Sequence, residues 1–182
     1  MLDDNGFEMV DSWSSISTAS KAKVAYFASE ESLQSVINGR GDYLEKTSMV
    51  GIQFLAKNNS PFFLMIESAM IDSGGHGNSS KMIVEEVLDF DQTIGEVIRY
   101  ADENPGTLVI ITADHETGGL SIPQGSIKNH TVELNFQSDD HTGIPVPIFA
   151  YGPHSGDFRG VYENTEVFHK IMKLVDQYYS KK

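Results

Sequence analysis

Three residues that can bind a metal ion lie close together near the middle of the chain. Glu67, Asp72 and His76 occur within a ten-residue stretch that follows an apolar run at residues 62–66. Carboxylate oxygens and imidazole nitrogens are suitable ligands for Mg²⁺ or Zn²⁺. We expect the apolar run to form a buried strand, and the glycines around His76 to adopt positive φ in a loop that turns the ligands inward.

Two later segments carry ligands of the same kind beside glycine. Asp114 and His115 follow an apolar run at residues 108–112, and His141 precedes a run at residues 146–150. The carboxyl ends of parallel strands meet at one edge of a sheet, where the ligands of open α/β proteins bind. We therefore expect the three segments to converge on one site, although they are distant in the sequence.

The spacing of apolar residues predicts the elements that position these ligands. The predicted strands are residues 23–28, 62–66, 108–112 and 146–150. The predicted helices are residues 42–57, residues 80–103, a last helix capped by Asn164, and a short helix that begins near Ser29. The alternation of strands and helices predicts an α/β fold with a mostly parallel sheet and flanking helices.

The remaining segments are less regular. Residues 1–22 are polar and serine-rich, which predicts an irregular lead-in with one helical turn near residues 13–19. Residues 120–138 alternate apolar and polar side chains, which predicts a hairpin that forms a small flap. Because the 182 residues contain neither repeats nor linkers, we expect one α/β domain over residues 1–182.

Composition and charge exclude several classes of function. The 13 basic and 26 acidic residues give a net charge of −13, which disfavours nucleic acid as a partner because phosphate binding needs Lys and Arg. No apolar run approaches the length of a membrane span, and the acidic amino terminus does not resemble a signal peptide. The chain contains no cysteine, so a metal site must use His and carboxylate ligands.

Together these motifs resemble the metal-binding signatures of alkaline phosphatases. Asp72-x-x-x-His76, Thr112-Ala-Asp-His-Glu-Thr-Gly-Gly119 and His141-Thr-Gly143 occur in the family's order, and Tyr151-Gly-Pro-His154 resembles a carboxyl-terminal segment of the family. The resemblance covers about residues 40–182. It implies the carboxyl-terminal part of an alkaline-phosphatase-like fold and hydrolysis of phosphate monoesters.

The resemblance also implies a role for each ligand and a set of cofactors. Asp72, His76 and His141 resemble the three protein ligands of the first zinc. Asp114 and His115 resemble two ligands of the second zinc, and Glu67 resembles one ligand of the magnesium. The implied cofactors are two zinc ions and one magnesium ion, with the zinc ions about 4 Å apart on either side of the transferred phosphoryl group.

Other parts of the family's catalytic machinery match no motif in this chain. The nucleophilic serine of the family lies in a turn of small residues, which Asp11-Ser12 lacks, and we expect Arg40 to be surface charge rather than a phosphate ligand. We therefore expect the amino-terminal half of the family's fold to be missing. The isolated chain would then be inactive or very weak, and would self-associate or pair with that half through an exposed sheet edge. The resemblance implies an extracytoplasmic location, periplasmic or secreted.

Two other functions are compatible with the same motifs. One is a non-catalytic metal-binding or structural module. The other is a related metal-dependent phosphohydrolase or phosphomutase, because that superfamily shares the Asp-x-x-x-His and Asp-His patterns. The His141-Thr-Gly143 motif favours the phosphatase over the mutases.

Overall fold

The computed structural model describes residues 2–29, 33–58 and 60–179. The chain divides into two compact units, residues 1–96 and residues 97–182. The expectation of one domain over residues 1–182 stays a prediction. Of the short helix predicted to begin near Ser29, residues 30–32 lie outside the described residues. Residues 33–35 form no helix, and a 3-10 helix at Val36–Asn38 follows them.

The first unit begins with two short strands and continues with helices. Strand β1 (Phe7–Val10) pairs in parallel with β2 (Lys23–Tyr26), with Phe7 opposite Lys23. The helices are α1 (Tyr43–Ala56), α2 (Met70–His76) and the larger part of α3 (Ser80–Glu103). The predicted helical turn near residues 13–19 is a 3-10 helix at Trp13–Thr18. The lead-in is nevertheless more regular than predicted, because β1 lies within it.

The second unit is built from short antiparallel pairs and a carboxyl-terminal helix. Its strands are β3 (Val109–Thr112), β4 (Glu116–Thr117), β5 (Ser121–Ser126), β6 (Thr131–Asn135), β7 (His141–Thr142) and β8 (Ile148–Tyr151). Strand β3 pairs with β8, β4 with β7 and β5 with β6, all antiparallel. Helix α4 spans Thr165–Tyr179. The β5–β6 hairpin confirms the alternating pattern of residues 120–138.

The prediction of a mostly parallel sheet is wrong for the described residues. In that part of the chain the strands form four two-stranded sheets, and β1–β2 is the parallel pair. Parallel strands need a crossover connection, usually a helix, whereas antiparallel strands are joined by returning segments. Between β3 and β8 the chain returns through β4 to β7 with no helix, so the two strands that we expected to be parallel run in opposite directions.

The segment before α2 also differs from the prediction. Residues 61–68 form neither helix nor strand, so the predicted strand at residues 62–66 is absent. Side-chain burial nevertheless alternates, with Leu64 and Ile66 half-buried and Phe63 and Met65 exposed, as in an extended chain. Among the described residues this segment has no ladder partner, and a strand is defined by its pairing.

The three long helices confirm the predictions from apolar periodicity. The bounds of α1 and α3 agree with the predicted ranges within a residue at each end, and α4 begins directly after the predicted cap, Asn164. Among the described residues the buried apolar side chains are few: Ile52 and Ile83 in the first unit, and Ala101, Val109 and Phe158 in the second. None of the helices in the described ranges combines the length and apolar character that crossing a membrane requires.

Candidate metal centre

Asp72 and His76 lie one turn apart on the short helix α2. The Oδ2 atom of Asp72 is 3.4 Å from Nε2 of His76, and both side chains are about 40% exposed. Residues four apart lie on the same face of an α-helix, which brings the carboxylate and the imidazole together. The expectation of a glycine-rich loop with positive φ is therefore wrong at this position.

The glycines of α2 serve close packing rather than unusual backbone angles. Gly74 and Gly75 are buried, and a β-carbon added to Gly74 would lie 2.8 Å from Cγ1 of Ile83. Only a residue without a side chain lets α2 approach the start of α3 this closely. The packing holds the helix that carries Asp72 and His76.

The second carboxylate–imidazole pair follows β3. The Oδ2 atom of Asp114 is 3.2 Å from Nε2 of His115, and the other ring nitrogen of His115, Nδ1, is 3.2 Å from the Thr117 hydroxyl. When Nδ1–H donates to the Thr117 hydroxyl, Nε2 carries the lone pair that a metal ion requires. Nε2 and the Asp114 carboxylate thus point to one region.

Both pairs have the spacing of ligands that share a zinc ion. Ligand atoms about 2.0 Å from zinc at tetrahedral angles are about 3.3 Å apart. The observed separations are 3.4 Å for Asp72 and His76 and 3.2 Å for Asp114 and His115. The donor chemistry, one oxygen and one nitrogen in each pair, also suits zinc.

The β4–β7 pair brings His141 beside His115. In its register Thr117 lies opposite His141 and Glu116 opposite Thr142. The rings of His115 and His141 are stacked, with centroids 3.6 Å apart, and a ring nitrogen of each lies within 4.8 Å of the other. The second unit therefore presents two imidazoles and the Asp114 carboxylate together.

Glu116 lies at the centre of the connections around this strand pair. Its carboxylate accepts hydrogen bonds from the amides of Leu120 (2.8 Å) and Gly119 (3.2 Å) and from the Thr142 hydroxyl. Burial by itself raises the pKa of Glu116, but these three hydrogen bonds outweigh it, and the pKa lies below its ordinary value. Glu116 is thus held as a carboxylate.

Sequence reasoning missed Glu116 and Thr142. Each directly follows one of the paired histidines, His115 or His141, and this repeated His-polar arrangement was the available signal. A side-chain bond between residues 26 positions apart depends on the β4–β7 register. That register is decided by tertiary structure.

Two further residues named in the sequence analysis, Glu67 and Arg40, have different surroundings in the structure. Glu67 is exposed and lies three residues before α2 begins. Its role as a magnesium ligand stays a prediction, as does the sharing of one zinc by Asp72, His76 and His141.

Arg40 contradicts the expectation of a surface charge. Its side chain is only 6% exposed, and its guanidinium pairs with two acidic side chains of α3, Glu86 at 2.5 Å and Asp89 at 2.8 Å.

Comparison with known proteins yields one consistent family. The family model described as alkaline phosphatase matches residues 25–135 and 124–177. Alkaline phosphatase 4 of Bacillus subtilis (strain 168) is 28% identical over 199 aligned positions, which cover 72% of this chain and 43% of that protein. The chain thus spans less than half the length of this relative.

Solved structures agree with the sequence comparison. The alkaline phosphatase of the Antarctic bacterium TAB5 superposes with a TM-score of 0.84 and 38% identity, over 94% of this chain and 53% of that one. A mutant of the same enzyme with Mg bound in its M3 site superposes with a TM-score of 0.85 and 37% identity. The family model covers most of the described sequence, and the helices, hairpin and histidine-bearing segments belong to a fold of this kind. The chain is a member of the alkaline phosphatase family.

Proposed function

We propose that this chain forms the carboxyl-terminal part of a metal-dependent phosphatase that hydrolyses phosphate monoesters. The observation that carries the proposal is the pair of carboxylate–imidazole contacts, each with the spacing of zinc ligands, in a chain of this family. A net charge of −13 would repel an anionic phosphate ester, so a cluster of cations is needed to attract one.

The proposed ligands follow the motifs. Asp72, His76 and His141 would bind the first zinc, and Asp114 and His115 would supply part of the second zinc site. Glu67 would supply part of a magnesium site, in keeping with the Mg bound by the TAB5 mutant. When bound, two zinc ions would supply Lewis-acid stabilisation of the attacking and leaving oxygens of the phosphate.

The protein's own contribution is orientation. The helical spacing of Asp72 and His76 and the Thr117 hydroxyl at His115 Nδ1 restrict each imidazole before a metal ion arrives. Preorganised ligands lose less conformational entropy on binding, and hydrogen bonds to the distal ring nitrogen raise the basicity of the ligating one.

The isolated chain would have little or no phosphatase activity. No motif in it matches the family's nucleophilic serine; Ser12 instead precedes a 3-10 helix, with its hydroxyl 2.7 Å from that of Ser15. We propose that an amino-terminal half of the family's fold supplies the nucleophile, the remaining metal ligands and a phosphate-binding arginine. We also propose an extracytoplasmic setting, periplasmic or secreted, for the complete enzyme.

The test combines metal analysis with a chromogenic phosphate ester assay. The chain, freed of metal and then dialysed against Zn²⁺ and Mg²⁺, is assayed alone and with the amino-terminal half of the TAB5 enzyme. We expect activity near background for either part alone and a zinc-dependent increase for the mixture. The His76→Ala chain serves as the control for the mixture, and no increase with the unaltered chain would contradict the proposal.

The same experiment separates the alternatives. A non-catalytic metal-binding module would bind zinc without hydrolysing the ester in any mixture. A phosphomutase would move phosphate within a sugar phosphate and release little inorganic phosphate. The Asp-x-x-x-His and Asp-His patterns alone are compatible with each of these functions.

A further inference from the structure

A side-chain link crosses the β4–β7 pair directly beside the two stacked histidines. The Thr142 hydroxyl donates a hydrogen bond to Glu116 Oε2, and the Gly119 amide donates to the same oxygen. The other carboxylate oxygen, Oε1, accepts from the Leu120 amide at 2.8 Å. Glu116 therefore connects β4, the turn that follows it, and β7.

The link lies behind the face that carries the histidines. Successive side chains of a strand point to opposite faces, so Glu116 points away from the face shared by His115 and Thr117. The contact of His115 with Thr117 and the stacking of His115 on His141 place these three side chains on the front of the pair. Glu116 and Thr142, opposite one another in register, occupy the back.

A pair of two-residue strands needs such support. Each strand spans only two residues, so few backbone hydrogen bonds fix its position. On one side of the pair the Gly118 amide donates a hydrogen bond to the Asp140 carbonyl at 3.0 Å. On the other side the Glu116 carboxylate accepts three hydrogen bonds. The half-buried Glu116 carboxylate accepts from three donors, and such charge-assisted hydrogen bonds restrict the groups that they join.

We propose that Glu116 and Thr142 are a positioning pair that holds His115 and His141 at the separation needed for metal ligation. The proposal rests on the proposed function, in which both histidines bind zinc. It assigns no direct contact between Glu116 and metal or substrate. Hydrogen-bond partners behind metal ligands typically change metal affinity by about 10–100-fold when removed.

The experiment measures the zinc affinity of the metal-free full chain by calorimetric titration, in the unaltered chain and in variants of the link. Thr142→Val removes the hydroxyl donor and retains the shape of the side chain, and Glu116→Gln retains size but replaces one acceptor oxygen by a donor. We expect each to weaken zinc binding about 10-fold or more. Thr142→Ser, which keeps the hydroxyl, should stay within about twofold of the unaltered chain. The double variant Glu116→Gln/Thr142→Val should be little weaker than either single variant, because both changes break the same link.

Two further measurements separate positioning from stability. The visible spectrum of the Co²⁺-substituted chain reports ligand geometry, and we expect it to change in Thr142→Val and to be restored in Thr142→Ser. Thermal unfolding of the metal-free chain should differ little between Thr142→Val and Thr142→Ser. Glu133→Gln is the matched control, because the Glu133 carboxylate accepts a hydrogen bond from the Gln124 side chain in the β5–β6 hairpin. The zinc affinity of this variant should equal that of the unaltered chain.

The outcomes distinguish the positioning role of Glu116 and Thr142 from the proposed function. Unchanged zinc affinity in Thr142→Val overturns the positioning role and leaves the proposed function in place. A lower unfolding temperature with unchanged affinity and an unchanged Co²⁺ spectrum likewise overturns it, because the link would then be purely structural. An unaltered chain that binds no zinc overturns both proposals. If Glu116→Gln fails to fold, Thr142→Val and its serine counterpart decide.

Discussion

Arg40 in the first unit illustrates how much depends on single buried charges. Its guanidinium contacts Glu86, which is fully buried, and Asp89, which is 10% exposed. The second oxygen of Glu86 accepts a hydrogen bond from the Val36 amide at 2.7 Å. The carboxylate of α3 thus fixes the segment that precedes α1.

Removing Glu86 should destabilise the chain severely. Glu86→Ala leaves the buried guanidinium with Asp89 alone and the Val36 amide without its acceptor, which we expect to cost about 3–5 kcal/mol. Chemical denaturation, followed by circular dichroism, measures the change. Asp42→Asn, in an exposed pair with Lys46, should leave the denaturation midpoint nearly unchanged. If both substitutions lower the denaturation midpoint equally, burial of the Glu86 carboxylate does not account for its effect on stability.

The proposed ligands should differ in their effect on zinc. Equilibrium dialysis should find about one tightly held zinc per chain, because this chain contains three proposed ligands of the first site and two of the second. His76→Ala or His141→Ala should abolish tight binding, and His115→Ala should weaken it less. His130→Ala, in the turn of the β5–β6 hairpin, is the control. An equal loss from the first three variants would contradict the assignment of a complete and an incomplete site.

At the scale of elements, the contact of α2 with α3 depends on a missing side chain. In Gly74→Ala the new β-carbon would meet Ile83 Cγ1 at 2.8 Å and the Ile83 backbone nitrogen at 3.2 Å. We expect the clash to outweigh the better helix propensity of alanine and to lower stability by about 1–2 kcal/mol.

Gly95 provides the matched control within the same unit. It lies inside α3, and an added β-carbon would meet nothing within 4 Å. Gly95→Ala should therefore raise the denaturation midpoint, since alanine favours the helix by up to about 1 kcal/mol. A destabilised Gly95→Ala or an unaffected Gly74→Ala would contradict the packing argument.

The β1–β2 pair should show a pH dependence that originates in Glu8. The backbone amides of Lys21 and Ser20 and the Ser20 hydroxyl all donate to Glu8 Oε2. The Lys21 amide bond, followed by those from Ser20, lowers the pKa of Glu8 from 4.5. Because the folded pKa is depressed, the stabilisation is present above pH 4.5 and is lost as the pH falls through the lowered pKa.

Glu8→Gln tests this expectation. The difference in unfolding temperature between the unaltered chain and Glu8→Gln should be largest near pH 7 and shrink as the pH falls below 4.5. If the difference in unfolding temperature stays constant with pH, the effect of Glu8→Gln arises from packing rather than from charge.

At the scale of the whole molecule, exposed apolar side chains predict association. In the first unit Phe63 and Met65 are 66% and 76% exposed, in a segment without a ladder partner among the described residues. Exposed apolar groups on an unpaired segment favour contact with another chain. The similar TAB5 enzyme is almost twice as long as the part matched here, so it has residues that could cover such a surface.

Light scattering coupled to gel filtration measures this association. We expect a mass above the 20.1 kDa of one chain, increasing with concentration. The double variant Phe63→Asp/Met65→Asp should reduce the mass, whereas Ile127→Asp, at a 95% exposed position in the hairpin turn, should not. Adding the amino-terminal half of the TAB5 enzyme should replace self-association by a 1:1 complex. A monomer at all concentrations would contradict the prediction.

The long helices, the hairpin and the family could all be predicted from the order of the residues alone. Helices α1, α3 and α4 have apolar residues at helical spacing, and β5–β6 has period-two alternation. Such periodicities are properties of short windows of sequence, and each window carries enough information to select its own conformation. The metal-binding motifs were equally visible, because ligand type and local spacing are written in consecutive residues.

The strand directions, the helical form of α2, the burial of Arg40 and the link from Glu116 to Thr142 could not be predicted in this way. Each of these depends on a partner that is distant in the sequence or on the close approach of two elements. The presence of a glycine in the sequence does not show whether it forms a turn or a tight contact. The presence of an arginine does not show whether it is solvated or buried beside carboxylates. The difference arises from which surfaces meet, because burial and pairing are free energies of contact between segments.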